Sequence, residues 1–163
     1  MIGAIVWFTG LPASGKTTLA RRVQAKLSRP ALLLDSDALR DVLDRHTYDD
    51  VSRDRFYTRL AELALLVAAQ GHVALVAATA PRRGYRDAAR AAGMPFTEVW
   101  VQTPFEECER RDPKGLYAAA RRGEAPALPG AGAAYEAPLD PDVIASGGHD
   151  DVAVDQIIAR LRQ

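Results

Sequence analysis

Apolar residues gather in short runs at positions 2–8, 31–34, 73–78, 97–101 and 143–145, separated mostly by segments in which they recur with helical spacing. That alternation predicts an α/β architecture with a parallel sheet. Helices are expected over residues 16–28, 38–45, 53–70, 84–92, 104–111 and 151–162, covering both faces of the sheet. In the last of them Val154, Ile157, Ile158 and Leu161 share one face. Gly71 stands where a helix-ending glycine belongs, just before the run at 73–78, and Pro30 separates the first helix from the second strand. The stretch 123–141 is rich in proline, glycine and alanine and keeps no period, so it reads as a loop; a loop this long inside a domain is more often functional than not, and a lid is expected there, spanning about residues 112–138. No repeat or composition shift divides the chain, and residues 1–163 are read as a single domain.

Composition narrows the class. With 163 residues and 48% hydrophobic content the chain suits a soluble globular domain with a sizeable core. Lys plus Arg and Asp plus Glu both number 21, so no net field favours nucleic acid. No apolar segment is long enough to span a bilayer, and the single Cys108 excludes an internal disulfide and a multi-cysteine zinc site. The first residues lack a charged leader and a cleavage signal and feed directly into the first strand, so a cytoplasmic location is expected.

The most specific chemistry follows that first strand. Gly10, Leu11, Pro12, Ala13, Ser14, Gly15, Lys16, Thr17 and Thr18 spell G-L-P-A-S-G-K-T-T, a complete G-x-x-x-x-G-K-[ST] loop between a strand and a helix. Such a turn aims consecutive backbone N–H groups at one point, where the helix dipole also favours an anion. Gly10 and Gly15 permit close backbone approach, Lys16 reaches the outer phosphates, and the Thr17 hydroxyl suits a magnesium ion. A nucleoside triphosphate, with Mg2+, is the expected ligand.

Ligands of a parallel sheet bind beyond the carboxyl ends of its strands, so the residues after the second strand should share the same crevice. There the sequence reads Leu34-Asp35-Ser36-Asp37. One carboxylate, assigned to Asp35, holds magnesium directly or through water; the other, Asp37, orients an attacking hydroxyl or accepts its proton. Asp is also a good helix cap, and both roles are compatible. Arg40 follows about one turn later, and Arg53, Arg59, Arg83 and Arg86 are candidates for offsetting phosphate charge, although arginines on amphipathic helices are usually solvated. His46, His72 and His149 have no metal-ligand spacing, and Cys108 lacks an evident base partner, so all four read as structural.

Beyond the phosphate loop, L-D-S-D-A-L-R at 34–40, C-E-R-R-D-P-K-G-L-Y at 108–117 and Y-E-A-P at 135–138 resemble the adenylylsulfate kinase (APS kinase) family over nearly the whole chain. The resemblance implies a three-layer P-loop kinase fold and magnesium-dependent transfer of the ATP γ-phosphoryl group to the 3′-hydroxyl of adenosine 5′-phosphosulfate. By position, Asp37 resembles the family's acidic residue near the reacting hydroxyl, and Arg40 and Arg53 resemble its phosphosulfate-side arginines. Lys114 resembles its lid lysine, and Arg111 the residue that packs on the ATP base. The family also implies a small-molecule nucleotide acceptor and a homodimer.

Several positions depart from the family pattern. Ser36 stands in D-S-D where D-G-D is usual, and Ala80 in A-T-A-P-R-R replaces a serine, so no phosphoserine can form there. Phe56 occupies the place of an asparagine that contacts substrate, and Leu128-Pro129-Gly130 replaces F-T-G, losing an aromatic that stacks on adenine. Base stacking is worth about 1–3 kcal/mol in single-strand binders, and Phe56 is a candidate to supply it instead. These changes spare the ATP side and fall on the acceptor side. Two further readings therefore stay open on the residues: a kinase for another nucleotide-like hydroxyl compound, and a nucleotide-binding regulatory module without turnover.

Overall fold

The computed structural model describes residues 2–43 and 49–162. Five strands, β1 (Ala4–Thr9), β2 (Ala31–Asp35), β3 (Val73–Ala77), β4 (Phe96–Val101) and β5 (Val143–Ala145), form one sheet in the order β2-β3-β1-β4-β5. Every neighbouring pair is parallel. The helices among the described residues are α1 (Lys16–Lys26), α2 (Ser36–Leu43), α3 (Asp50–Ala69), α4 (Arg83–Ala91), α5 (Phe105–Arg111), α6 (Leu116–Arg121) and α7 (Asp151–Arg160). None of them is long and apolar enough to cross a membrane.

The central strands read as unbroken apolar runs because both faces of the sheet are covered. Side chains alternate across a strand, so Val6 and Phe8 enter one core while Ile5 and Trp7 enter the other. The first core packs α1, through Leu19, Ala20 and Val23, and α7, through Ala153, Val154, Ile157 and Ile158, against the sheet. The second packs α3, through Phe56, Leu60, Ala64 and Val67, and α4, through Ala89, against the opposite face. Register then decides where the chemistry lies. Ala77 pairs with both Phe8 and Asp35, so the carboxyl ends of β1, β2 and β3 finish level. The loops leaving them open onto one rim.

Element boundaries moved for local reasons. The second helix begins at Ser36 rather than at residue 38, because the Asp35 carboxylate accepts the Asp37 N–H at 2.9 Å and caps the first turn. Residues 44 and 45 at the expected end of that helix, and His46, lie outside the described residues. Asp49 caps α3 by accepting the Ser52 N–H, so that helix starts at Asp50 instead of residue 53. Helix α6 was not expected. It has six residues, too few for a period to register, and it forms because Asp112 accepts the N–H groups of Tyr117 and Ala118, both at 3.0 Å. The loop expected over 123–141 carries turns and a single bridge between Pro129 and Ala133.

The faces of α7 give a direct check on this packing. Ile157 is fully buried while Val152 is 67% exposed. Ile157→Ala should lower unfolding free energy by about 2–5 kcal/mol in urea titration, against less than about 0.5 kcal/mol for Val152→Ala. Equal losses at both positions would contradict the burial of that face.

Candidate active site

The phosphate loop is shaped by what holds its carbonyl groups. The Leu11 carbonyl accepts the Ser14 N–H at 3.1 Å, and the Pro12 carbonyl accepts the Tyr117 hydroxyl at 2.8 Å. The Ser14 carbonyl accepts the Thr103 hydroxyl at 2.6 Å. Lys16 Nζ donates to the carbonyls of Gly10 and Leu11, at 3.1 and 2.8 Å. With carbonyls engaged in this way, and with the first N–H groups of α1 lacking helical partners by geometry, the loop presents donors rather than acceptors. Ala13 (φ 64) and Gly15 (φ 100) supply the left-handed turns that an anion-binding concavity requires. Gly15 is needed twice over, since a Cβ there would also stand 2.6 Å from the Gly148 backbone nitrogen.

Across from the loop lie the two carboxylates. Asp35, at the end of β2, accepts the Thr17 hydroxyl at 2.7 Å through one oxygen while its other oxygen caps α2. Asp37, in the first turn of α2, forms an ion pair with Lys114 from the loop between α5 and α6. Burial pushes the Lys16 ammonium down to about 8, against the pull of Asp37 and Asp35, which favour its charge. Arg111 donates to Glu107 at 2.8 Å, and together Arg110 and Arg111 hold the Glu107 carboxyl down at about 2. Among the described residues no cluster of three or more His, Cys, Asp or Glu side chains gathers. A hydroxyl joined to one carboxylate is nevertheless the hard-oxygen donor pair that magnesium takes when substrate phosphates complete its shell.

These groups surround one cleft of about 570 Å3. Pro12, Ala13, Gly15, Lys16, Thr17, Thr18, Asp35, Asp37, Arg111 and Lys114 all line it. Gly10, Leu11 and Ser14 shape it from behind: Ser14 is fully buried, and Leu11 packs against a small cluster of Cys108, Tyr117 and Leu128. Cys108 belongs wholly to that cluster, its thiol pushed up by burial, in keeping with a structural role.

Four expectations on the acceptor side are corrected or refined. Phe56 offers no stacking face: it is fully buried, edge-on to Tyr57 at 5.3 Å and covered by the Arg40 guanidinium at 4.1 Å. Leu128 does not line the cleft but sits 8% exposed beneath the loop, against Tyr117 and Cys108. Arg83 is directed at the trailing end of the lid, its Nε donating to the Ala137 carbonyl at 2.8 Å and its N–H to Glu136 at 2.7 Å. Arg53 reaches the loop instead of the cleft wall, donating to the Ala127 carbonyl at 3.1 Å. In each case long-range packing, invisible in local spacing, takes up the side chain.

Long-range contacts that the spacing did not anticipate brace the part of the cleft wall that carries Thr79. The Thr9 hydroxyl donates to the Thr79 carbonyl at 2.6 Å and meets the Tyr135 hydroxyl at 2.9 Å. Arg86, a candidate for offsetting phosphate charge, is instead buried against Glu98 at 2.7 Å and does not line the cleft. The available signal was Glu98 itself, a charge inside the apolar run F-T-E-V-W-V, which must find a partner if that strand is buried.

The profile of the adenylylsulphate kinase family matches residues 2–146. An adenylyl-sulfate kinase of Paraburkholderia xenovorans is 39% identical over 98% of this chain and 93% of its own length. The bifunctional enzyme CysN/CysC of Mycobacterium tuberculosis is 42% identical over 86% of this chain, which spans only 24% of that larger protein. Among solved structures, the Mycobacterium tuberculosis APS kinase CysC in complex with AMPPNP and APS superposes with a TM-score of 0.91 at 39% identity, covering 99% of this chain and 98% of that one. With a matching profile over most of its length and a phosphate loop facing two carboxylates, the chain belongs to the adenylylsulfate kinase family.

Proposed function

We propose that this chain transfers the γ-phosphoryl group of ATP to the 3′-hydroxyl of adenosine 5′-phosphosulfate, releasing ADP and the 3′-phosphorylated product. The observation that carries the reading is the cleft itself, which Lys16 and the Thr17–Asp35 hydrogen-bonded pair line together with the Asp37–Lys114 ion pair. The first group suits a triphosphate with its cation; the second suits the hydroxyl that attacks it. The similarity to an APS kinase solved in complex with AMPPNP and APS supports the same pair of substrates.

In the reaction the acceptor oxygen forms a bond to the γ-phosphorus as the bond to the bridging β–γ oxygen breaks. Asp37 orients the hydroxyl and takes its proton, and the leaving ADP carries the bond electrons away as charge on its β-phosphate. Such transfers need little covalent help from the protein, so rate comes from positioning and charge neutralisation. Lys16 exchanges its two loop carbonyls for phosphate oxygens, which return to it the anionic partner that favours its charged form. Thr17 and Asp35 would hold magnesium, which when bound offsets phosphate charge. Lys114 carries the base of the lid to Asp37 and closes the cleft over the reacting centre.

ADP release by the purified protein with magnesium and ATP, with and without micromolar adenosine 5′-phosphosulfate, tests the reading. Acceptor-dependent ADP formation is expected; ATP binding without such turnover would contradict it and direct the search to other hydroxyl acceptors. Lys16→Ala should lower kcat by at least about 10²-fold, the scale of losing one charge-stabilising donor. Asp37→Asn should lower kcat by about 10²-fold while changing ATP affinity much less, and an unchanged kcat would remove Asp37 from its role. The lowered pKa of Lys16 adds a pH dependence. Its proton is held below about 8 and lost above it, so kcat/KM for ATP should be full at pH 7 and fall as pH rises through 8. Lys16→Arg should abolish that fall, and its persistence would assign the titration to another group.

A further inference from the structure

Arg86 is 1% exposed and belongs to α4, away from the phosphate loop. Its guanidinium reaches three separate stretches of chain. Nε donates to Glu98 on β4 at 2.7 Å, Nη1 to the Ala80 carbonyl in the turn after β3, and Nη2 to the Glu136 carbonyl at 2.7 Å. Glu98 is shared with Arg90 at 3.0 Å, so the buried charge is paired and its second oxygen satisfied. A pair of this kind seldom out-stabilises an apolar replacement; what it fixes is geometry.

The geometry in question is unusual. Ala80 is fully buried and adopts φ 42, a left-handed conformation disfavoured for a residue with a Cβ. Both of its backbone polar groups are engaged, its N–H with the Tyr57 hydroxyl at 3.1 Å and its carbonyl with Arg86. Strain of this sort persists only where the surroundings over-determine it, and it concentrates at functional sites. Thr79, immediately before it, lines the cleft, and its carbonyl is tied through Thr9 to Tyr135. The turn after β3 and the end of the lid at Tyr135–Glu136 are thus bolted together from two directions.

From this clamp, and resting on the kinase reading above, we infer that Arg86 is a positioning residue for the acceptor nucleotide, holding the Thr79–Ala80 wall and the trailing end of the lid in register. None of its contacts touches the phosphate loop, whose carbonyls are held by Lys16, Thr103 and Tyr117. Its loss should therefore loosen the Thr79–Ala80 turn while the carbonyl anchors of the phosphate loop stay in place. A lysine keeps the charge but has one nitrogen in place of a planar fork, and cannot span three segments.

Steady-state kinetics and equilibrium ATP binding of Arg86→Lys test the inference, with Tyr57→Phe as a milder second variant that frees the same turn from its N–H side. The expected result is a rise of at least tenfold in KM for adenosine 5′-phosphosulfate, smaller in Tyr57→Phe, with ATP dissociation constants within twofold of the parent. An unchanged acceptor KM, or acceptor and ATP affinities that fall together, would overturn it; if Arg86→Lys fails to fold, the Tyr57→Phe split decides alone. A parent protein without acceptor-dependent turnover would sink the kinase reading, whereas parent turnover with no split in the variants would sink this inference only.

Discussion

A phosphate cradle made of backbone imposes one demand above the others: its N–H groups must be free to face the ligand, so its carbonyl groups must be satisfied from outside. Much of the architecture can be understood as meeting that demand. Thr103 arrives from the end of β4, Tyr117 from α6 and Lys16 from the first turn of α1, each donating to a loop carbonyl. The turn before α7 packs so tightly beneath the loop that neither Gly15 nor Gly148 has room for a Cβ. With Thr103 and Tyr117 still holding their carbonyls and the turn before α7 beneath it, the loop backbone keeps its shape when the Lys16 side chain turns to a triphosphate, which is the condition for electrostatic stabilisation at low cost.

The opposite wall obeys different physics. Where the cradle is fixed through hydrogen bonds to its backbone carbonyls, the wall around Asp37 and Ala80 is organised by charge: Asp37 with Lys114, Arg40 over Phe56, and Arg86 with Glu98. Only the last of these is buried on both sides, and it is the one that controls backbone rather than a side-chain position. The exposed Asp37–Lys114 pair is worth little to stability by comparison.

The sequence made the sheet legible because strands buried on both faces are written as contiguous apolar runs, and the phosphate loop legible because its nine residues are consecutive. Asp35 and Asp37 were equally readable, since a strand end fixes which crevice they face. What escaped notice depended on distance along the chain. Thr9 and Tyr135 meet across 126 positions, and Arg83 finds its partners 53 and 54 positions away. No spacing rule anticipates such pairs. Phe56 and Leu128 were misjudged for a related reason: each stands where the family pattern has a ligand-contacting residue, yet each is apolar, and the core beneath the site takes it in. Helix α6 was missed because its stability comes from the Asp112 cap and the packing of Tyr117, not from a period of its own.

The proposed transfer requires one cleft to hold the triphosphate against Lys16 and to bring the acceptor hydroxyl to Asp37. A crystal structure with a non-hydrolysable ATP analogue, magnesium and adenosine 5′-phosphosulfate tests it most directly. Lys16 Nζ should leave the Gly10 and Leu11 carbonyls for phosphate oxygens, and the ribose 3′-hydroxyl should lie within hydrogen-bond reach of Asp37. Lys16 still seated on the loop carbonyls, or an acceptor ribose bound away from Asp37, would contradict it.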